Sequence, residues 1–153
     1  MIPTLDIITQ EITEVTYSSK TYRIVYRAKE NTISQGVLAL TVSAESDVSD
    51  RISGYTDGLD AVAQAVYLIL STERYKFIIY SWDYGVELVD LFGKPMPYVI
   101  SELPRRIKEA LTMDERINDV VDFEFEPIGK RLNLSFKVIS NIGNISVAME
   151  VAI

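Results

Sequence analysis

Four carboxylates fall close together in the middle of this sequence: Glu73, Asp83, Glu87 and Asp90. Two carboxyls flanking a bond, one of them kept protonated as an acid, are what glycoside hydrolysis requires. The surrounding residues argue against that use. Asp83, Glu87 and Asp90 are spaced i, i+4, i+7, which on a helix makes one solvated stripe. Glu73 stands next to Arg74, a cation that suits a charged carboxylate and not a proton donor. With 22 acidic residues in the chain, some pair always looks suggestive. The absence of cysteine removes thiol catalysis, disulfides and Cys-based zinc sites, and the absence of histidine removes the usual general base and commonest metal ligand. No glycine-rich phosphate loop, nucleophile elbow or metal-ligand cluster occurs. The sequence predicts a protein that is not an enzyme, with no catalytic residue, cofactor or metal.

The elements around these carboxylates start from a central helix. Thr56-Asp57-Gly58 is a start signal: Asp57 can accept from an unpaired N–H of the first turn, and Asp60 suits the positive end of the helix dipole. Leu59, Val62, Ala63, Val66, Tyr67 and Leu70 then recur on one helical face. Ala61, Ala65, Leu68 and Ile69 widen the stripe, so the helix is expected to be buried on most sides over residues 58–72, about 22 Å. Residues 71–75 end it, and Lys76 to Trp82 is a nearly unbroken apolar and aromatic run. Asp83 can cap a second, short helix carrying Val86, Leu88, Val89, Leu91 and Phe92, stopped by Gly93 and Pro95. A third helix is expected over about Tyr98 to Leu111, with Ile100, Leu103, Ile107, Ala110 and Leu111 on one face. Pro104 either kinks it or occupies the first turn of a shorter helix. Arg105, Arg106, Lys108 and Glu109 crowd its other face, as a solvated surface or a docking patch.

Strand periodicity brackets these helices. Lys20 to Ala28 alternates as a half-buried strand, Val37 to Ser43 reads as another, and Glu45 to Asp50 is an acidic loop before Ile52 leads into the central helix. Residues 1–19 are a polar lead-in, either a partner-bound arm or a loosely ordered terminus. After residue 120, Val121, Phe123 and Phe125 alternate with Asp122, Glu124 and Glu126. Leu132, Leu134, Phe136 and Val138 alternate with Arg131, Asn133, Ser135 and Lys137, and Ile145, Val147, Met149 and Val151 follow after a turn. Three such runs joined by short turns predict an antiparallel meander with one apolar face, its acidic first strand beside its basic second. The expected fold is α+β: a central core helix and two further helices packed on an antiparallel sheet that ends in a three-stranded meander.

At 153 residues, one domain spanning 1–153 can bury roughly 70% of its unfolded surface without a staple. Residues 20–50 supply its N-terminal strands. No apolar run approaches the roughly 20 residues of a membrane span, and Met1-Ile2-Pro3 begins no signal peptide. The net charge of -7 favours solubility and opposes a nucleic-acid role. Neither nucleic acid nor membrane is an expected partner. The C-terminal strand has a single charge, Glu150, and no proline. An edge strand normally carries such protection, so Ile145, Val147, Met149 and Val151 mark a strand that is central or built for pairing. Because it is the last element, the expectation is that it pairs with the Leu132 to Val138 strand on one side and a partner's strand on the other.

The order Asp-Gly-Leu-Asp-Ala-Val (57–62), Ile-Leu-Ser-Thr-Glu-Arg (69–74) and Tyr-Gly-Val-Glu-Leu (84–88) resembles the small baseplate wedge proteins of contractile phage tails, also called sheath initiators. The PBSX-type prophage version is the most similar in look. The resemblance covers about residues 50–153, and its motif and core positions here are Asp57, Gly58, Thr72, Glu73, Arg74, Tyr84 and Gly85. It implies a structural baseplate component of a contractile phage tail or tail-like bacteriocin, in six copies around the tube. Its implied partners are wedge, sheath, and tail tube or hub proteins. The resemblance further implies assembly in the bacterial cytoplasm and carriage in the finished particle. A family element usually reading Glu-Pro-Arg, which engages the wedge, corresponds to Asp114-Glu115-Arg116-Ile117, here without the proline. Glu115, Arg116, Arg105 and Arg106 are thus the expected wedge contacts, and strand addition is the expected way of starting the sheath. Because the family is sometimes labelled lysozyme-like, a peptidoglycan-degrading baseplate enzyme is the alternative function, with a small cytosolic adaptor domain as a third.

Overall fold

The structure, a computed structural model, describes residues 19–25, 37–41 and 51–152. Three short strands come first: β1 (Thr21–Val25), β2 (Val37–Thr41) and β3 (Arg51–Thr56). Helix α1 (Gly58–Ser71) follows, then a 3-10 turn over Val89–Leu91 and helix α2 (Met96–Leu111). β4 (Ile117–Ile128), β5 (Arg131–Ser140) and β6 (Asn144–Ala152) close the sequence. β1 and β3 form a two-stranded antiparallel sheet, and a four-stranded sheet runs β2-β6-β5-β4. The fold is α+β, and the expected three-stranded meander is present as β4-β5-β6.

Burial follows the sequence periodicity. Leu132, Leu134, Phe136 and Val138 of β5 lie opposite Val151, Met149, Val147 and Ile145 of β6 in one buried layer. Onto it pack Val62, Val66, Ile69 and Leu70 of α1, and Val99, Leu103, Ile107 and Leu111 of α2. Exposed and half-exposed residues fill the other face of the sheet. There Lys137 meets Asp122 at 2.8 Å and Ser135 meets Glu124 at 3.3 Å, so the acidic β4 does sit beside the basic β5, while Arg131 of β5 meets Glu150 of β6 at 3.0 Å. Asp57 caps α1 as expected, accepting from Gly58 N at 2.7 Å; the Ser19 hydroxyl donates to the same carboxylate.

Three expectations change, and one open alternative closes. The helix expected after Asp83 does not form, and only the Val89–Leu91 turn is helical. Val86 cannot join a helix because its N–H donates to Thr72 O at 2.9 Å and its carbonyl accepts from Arg74 N at 3.1 Å. α2 runs unbroken through Pro104, which excludes the shorter helix; the Ile100 carbonyl goes without its i+4 donor. β3 occupies residues that were expected to lead straight into α1; it pairs with β1, Thr21 opposite Thr56. Finally, β6 is not an edge strand. β2 lies parallel along its far side, from Val37 opposite Ser146 to Thr41 opposite Glu150. Residues 1–18, 26–36 and 42–50, which include the expected arm, the far end of the first strand and the acidic loop, lie outside the described residues.

Candidate functional site

Thr72-Glu73-Arg74 and Tyr84-Gly85, separated in sequence by the nine residues 75–83, come together as a clamp behind α1. The chain leaves α1 extended, and the paired backbone of Glu73 and Val86 brings the returning segment alongside. Gly85 sits at φ +97°, and a Cβ there would lie 2.5 Å from the Thr72 carbonyl oxygen, so only glycine fits. Arg74 is buried. Its Nε donates to Gly85 O at 3.1 Å, and its Nη1 donates to Glu109 Oε1 of α2 at 2.9 Å. Burial opposes the guanidinium charge, but Glu109 and Tyr75 together outweigh it and Arg74 is held more basic than usual. Glu73 accepts backbone N–H groups, Leu88 N at 3.1 Å and Val89 N at 3.2 Å, holding the start of the 3-10 turn. Glu73, Asp83, Glu87 and Asp90 thus have separate surroundings. Glu73 binds backbone, Glu87 lies 3.6 Å from Arg74, Asp90 pairs with Arg106, and Asp83 is exposed.

The charged face of α2 is organised inward. Arg106, largely buried, donates to Glu87 O at 2.9 Å and through Nη2 to Asp90 Oδ2 at 2.9 Å, and its Nε lies 3.5 Å from Glu102 Oε2 without hydrogen-bond alignment. Arg105 is exposed but bridges Glu102 at 2.8 Å and Glu109 at 3.1 Å. Lys108 reaches Asp119 of β4 at 2.7 Å. The pair Arg105 and Arg106 is therefore no free basic patch: one spans its own helix and the other ties the 87–90 segment to α2.

At the α2–β4 connection Arg116 closes on its own neighbour. Its Nε donates to Asp114 Oδ1 at 2.9 Å and its Nη2 to Asp114 Oδ2 at 2.6 Å, a two-pronged pair, while Asn141 N donates to the Arg116 carbonyl at 3.0 Å. The guanidinium beside it holds the half-buried Asp114 carboxyl below its usual range. Glu115, by contrast, is exposed.

The four strand residues expected to receive a partner are placed differently. Ile145, Val147, Met149 and Val151 are buried under the helices, and both backbone edges of β6 are used, one by β5 and one by β2. The strand is apolar because it is central. Neither alternation nor composition distinguishes a central strand from an edge awaiting a partner, and the short parallel β2 leaves no turn signal linking it to β6. Among the described residues, the edges of the four-stranded sheet are β2 and β4.

With this geometry in hand, comparison with known proteins decides the family. A model of the contractile injection system sheath initiator family matches residues 38–143, which runs from β2 through the β5–β6 turn. The chain belongs to the sheath initiator family. It is also 42% identical over 93 residues to the phage-like element PBSX protein XkdS of Bacillus subtilis (strain 168), a match that spans 59% of this chain and 66% of that protein. In this structure Thr72, Glu73, Arg74 and Gly85 hold one another and α2. The family is a structural one, which favours a structural role over cell-wall hydrolysis. Among the described residues no group of His, Cys, Asp or Glu is placed to hold a metal ion, and no helix is long and apolar enough to cross a membrane. Sequence reasoning missed Glu109 and Asp90 as the partners that commit Arg74 and Arg106; neither spacing, 35 and 16 residues, leaves a local signal.

Proposed function

We propose that this sheath initiator is the baseplate subunit on which the contractile sheath starts, in six copies around the tube, joined to the wedge and extended by strand addition. The reading is supported by family membership together with the sheet edge at β2. The other edge, β4, is guarded: its register is broken at two places, Asp122 is left-handed at φ 57°, and Pro127 lacks an N–H. β2 (VLALT) has no charge and no proline, and among the described residues its outer edge has no partner. A sheath subunit's extended arm can continue the sheet there, satisfying its own N–H and C=O groups against β2. The wedge contact falls to Glu115, exposed beside the closed Asp114–Arg116 pair; the pair shapes the turn that presents it. The subunit is built in the bacterial cytoplasm and carried in the finished particle.

The test is a proline scan of Leu38, Ala39 and Leu40. In a parallel strand, consecutive residues turn their N–H groups to opposite sides, so the scan separates the β6 ladder from the outer edge. Prolines facing β6 should destabilise the domain. Those facing outward should leave circular dichroism unchanged and yield particles whose tubes carry no sheath in electron micrographs. Full-length sheaths on particles with every folded variant would remove β2 as the starting edge. For the wedge contact, Glu115→Lys should leave the isolated domain folded but keep it out of baseplates; normal incorporation would return Glu115 to the solvated surface.

A further inference from the structure

The loop from Tyr75 to Tyr84 is held in shape although it contains neither helix nor strand. Its ends are pinned by the clamp, and Tyr80 N→Phe77 O at 3.3 Å and Tyr84 N→Ser81 O at 3.1 Å fold it into successive turns. Tyr80 stacks on Tyr84 at 4.7 Å, and Tyr75 meets Trp82 at 5.8 Å. Yet Ile78 is fully exposed, Ile79 is 84% exposed and Trp82 79%. Burying a side chain of this size contributes about 1.5–3 kcal/mol, which these residues forgo in the isolated chain. A fixed loop that displays contiguous apolar side chains marks an interaction surface, and its prior ordering lowers the entropy cost of binding.

Beside the loop is a cleft of about 340 Å³, with Ile69, Tyr84, Ala110 and Met113 as its apolar lining and Ser81, Asp83 and Asp114 as polar groups. Among the described residues, no lysine or arginine lines it. Asp83 has no hydrogen bond or ion pair among the described residues. The carbonyl end of α2, partially negative, closes at Leu111, between Ala110 and Met113. We propose that this loop and cleft bind a partner protein segment in which an apolar residue is followed by lysine or arginine. The apolar side chain fills the cleft, the cation meets Asp83, and Ile78, Ile79 and Trp82 cover the flanking residues. A lipid surface fits less well, because the exposed Asp83 carboxylate and a net charge of -7 repel anionic headgroups, Asp114 being already paired with Arg116. The surface uses neither β2 nor Glu115, so it stands independently of the sheath-starting edge and wedge contact proposed above.

Trp82 is the chain's single tryptophan, so its emission reports directly on the loop. The full chain would be titrated with two short synthetic peptides of identical leucine spacing, one with lysine and one with glutamate at the polar positions. The lysine peptide should shift Trp82 emission to the blue and shield it from acrylamide, and the glutamate peptide should do neither. Asp83→Asn should weaken the lysine peptide about fivefold to tenfold. The double variant Ile78→Ser with Ile79→Ser should lose binding at an unchanged unfolding midpoint. Equal binding of both peptides, or binding indifferent to either variant, would overturn the proposal. So would a lowered midpoint of the double variant, which would give these side chains to the fold. A blue shift with phosphatidylcholine vesicles but not with peptide would assign the loop to lipid and overturn it as well.

Discussion

Asp114 and Arg116 show how a motif residue can serve its own chain before it serves a partner. Arg116 offers a fork of donors that fits one carboxylate, and Asp114, two residues away, fills it at 2.6 and 2.9 Å. That pairing was not legible in the sequence, where Glu115 and Arg116 looked like the acting pair and Asp114 like their flank. The consequence is measurable through pH. Because Arg116 lowers the folded carboxyl of Asp114 relative to the unfolded chain, its charge contributes stability that is complete above the unfolded value of about 3.9. The contribution is lost as pH falls through the lowered folded value. Asp114→Asn should therefore be less stable than wild type at neutral pH, and should lose less stability on acidification, as read by urea unfolding across the acid range. Parallel acid limbs for the two proteins would mean that the pair does not stabilise the fold.

Elements were legible where a period ran long enough. α1 showed its apolar stripe, and β4, β5 and β6 showed alternation with turns between them, so their placement followed. The segment after Asp83 misled because its carboxylates and apolar residues match helical spacing, whereas the Thr72–Val86 backbone pairing and Gly85 decide its path from a distance. β3 was missed because Ile52 and Tyr55 are exposed, so no buried face imposes alternation on it. Pro104 is a test case at this scale. It interrupts the hydrogen bonding of α2 between the fully buried Leu103 and Ile107, which keep the helix in place. Pro104→Ala should restore the bond from residue 104 to the Ile100 carbonyl. Proline also restricts the unfolded chain, which returns about 0.4–1 kcal/mol of the gain. Against an interior-proline cost of about 3 kcal/mol, a net stabilisation of about 2 kcal/mol is expected. Thermal unfolding would show it, and a lower midpoint in the variant would mean that the helix is shaped around the proline.

At the scale of the molecule, the described residues divide into a core that explains itself and surfaces that do not. The helices bury the apolar face of the sheet, cross-strand ion pairs satisfy the other, and the clamp locks the path between α1 and α2. Three features serve none of this: the outer edge of β2, the exposed Glu115, and the apolar loop at Ile78, Ile79 and Trp82. Their presence on one small subunit fits a part that meets several neighbours at once. The sequence pointed to the family through motif residues that turn out to hold the fold. It did not reveal the β2–β6 pairing, because that pairing joins residues more than a hundred positions apart. The most direct measurement removes the subunit from an otherwise complete particle and images the product by electron microscopy, with the wild-type chain restored in a parallel culture. The account predicts baseplates bearing tubes without sheath, and sheathed tails on restoration. Normal, full-length sheaths in the absence of this chain would contradict it.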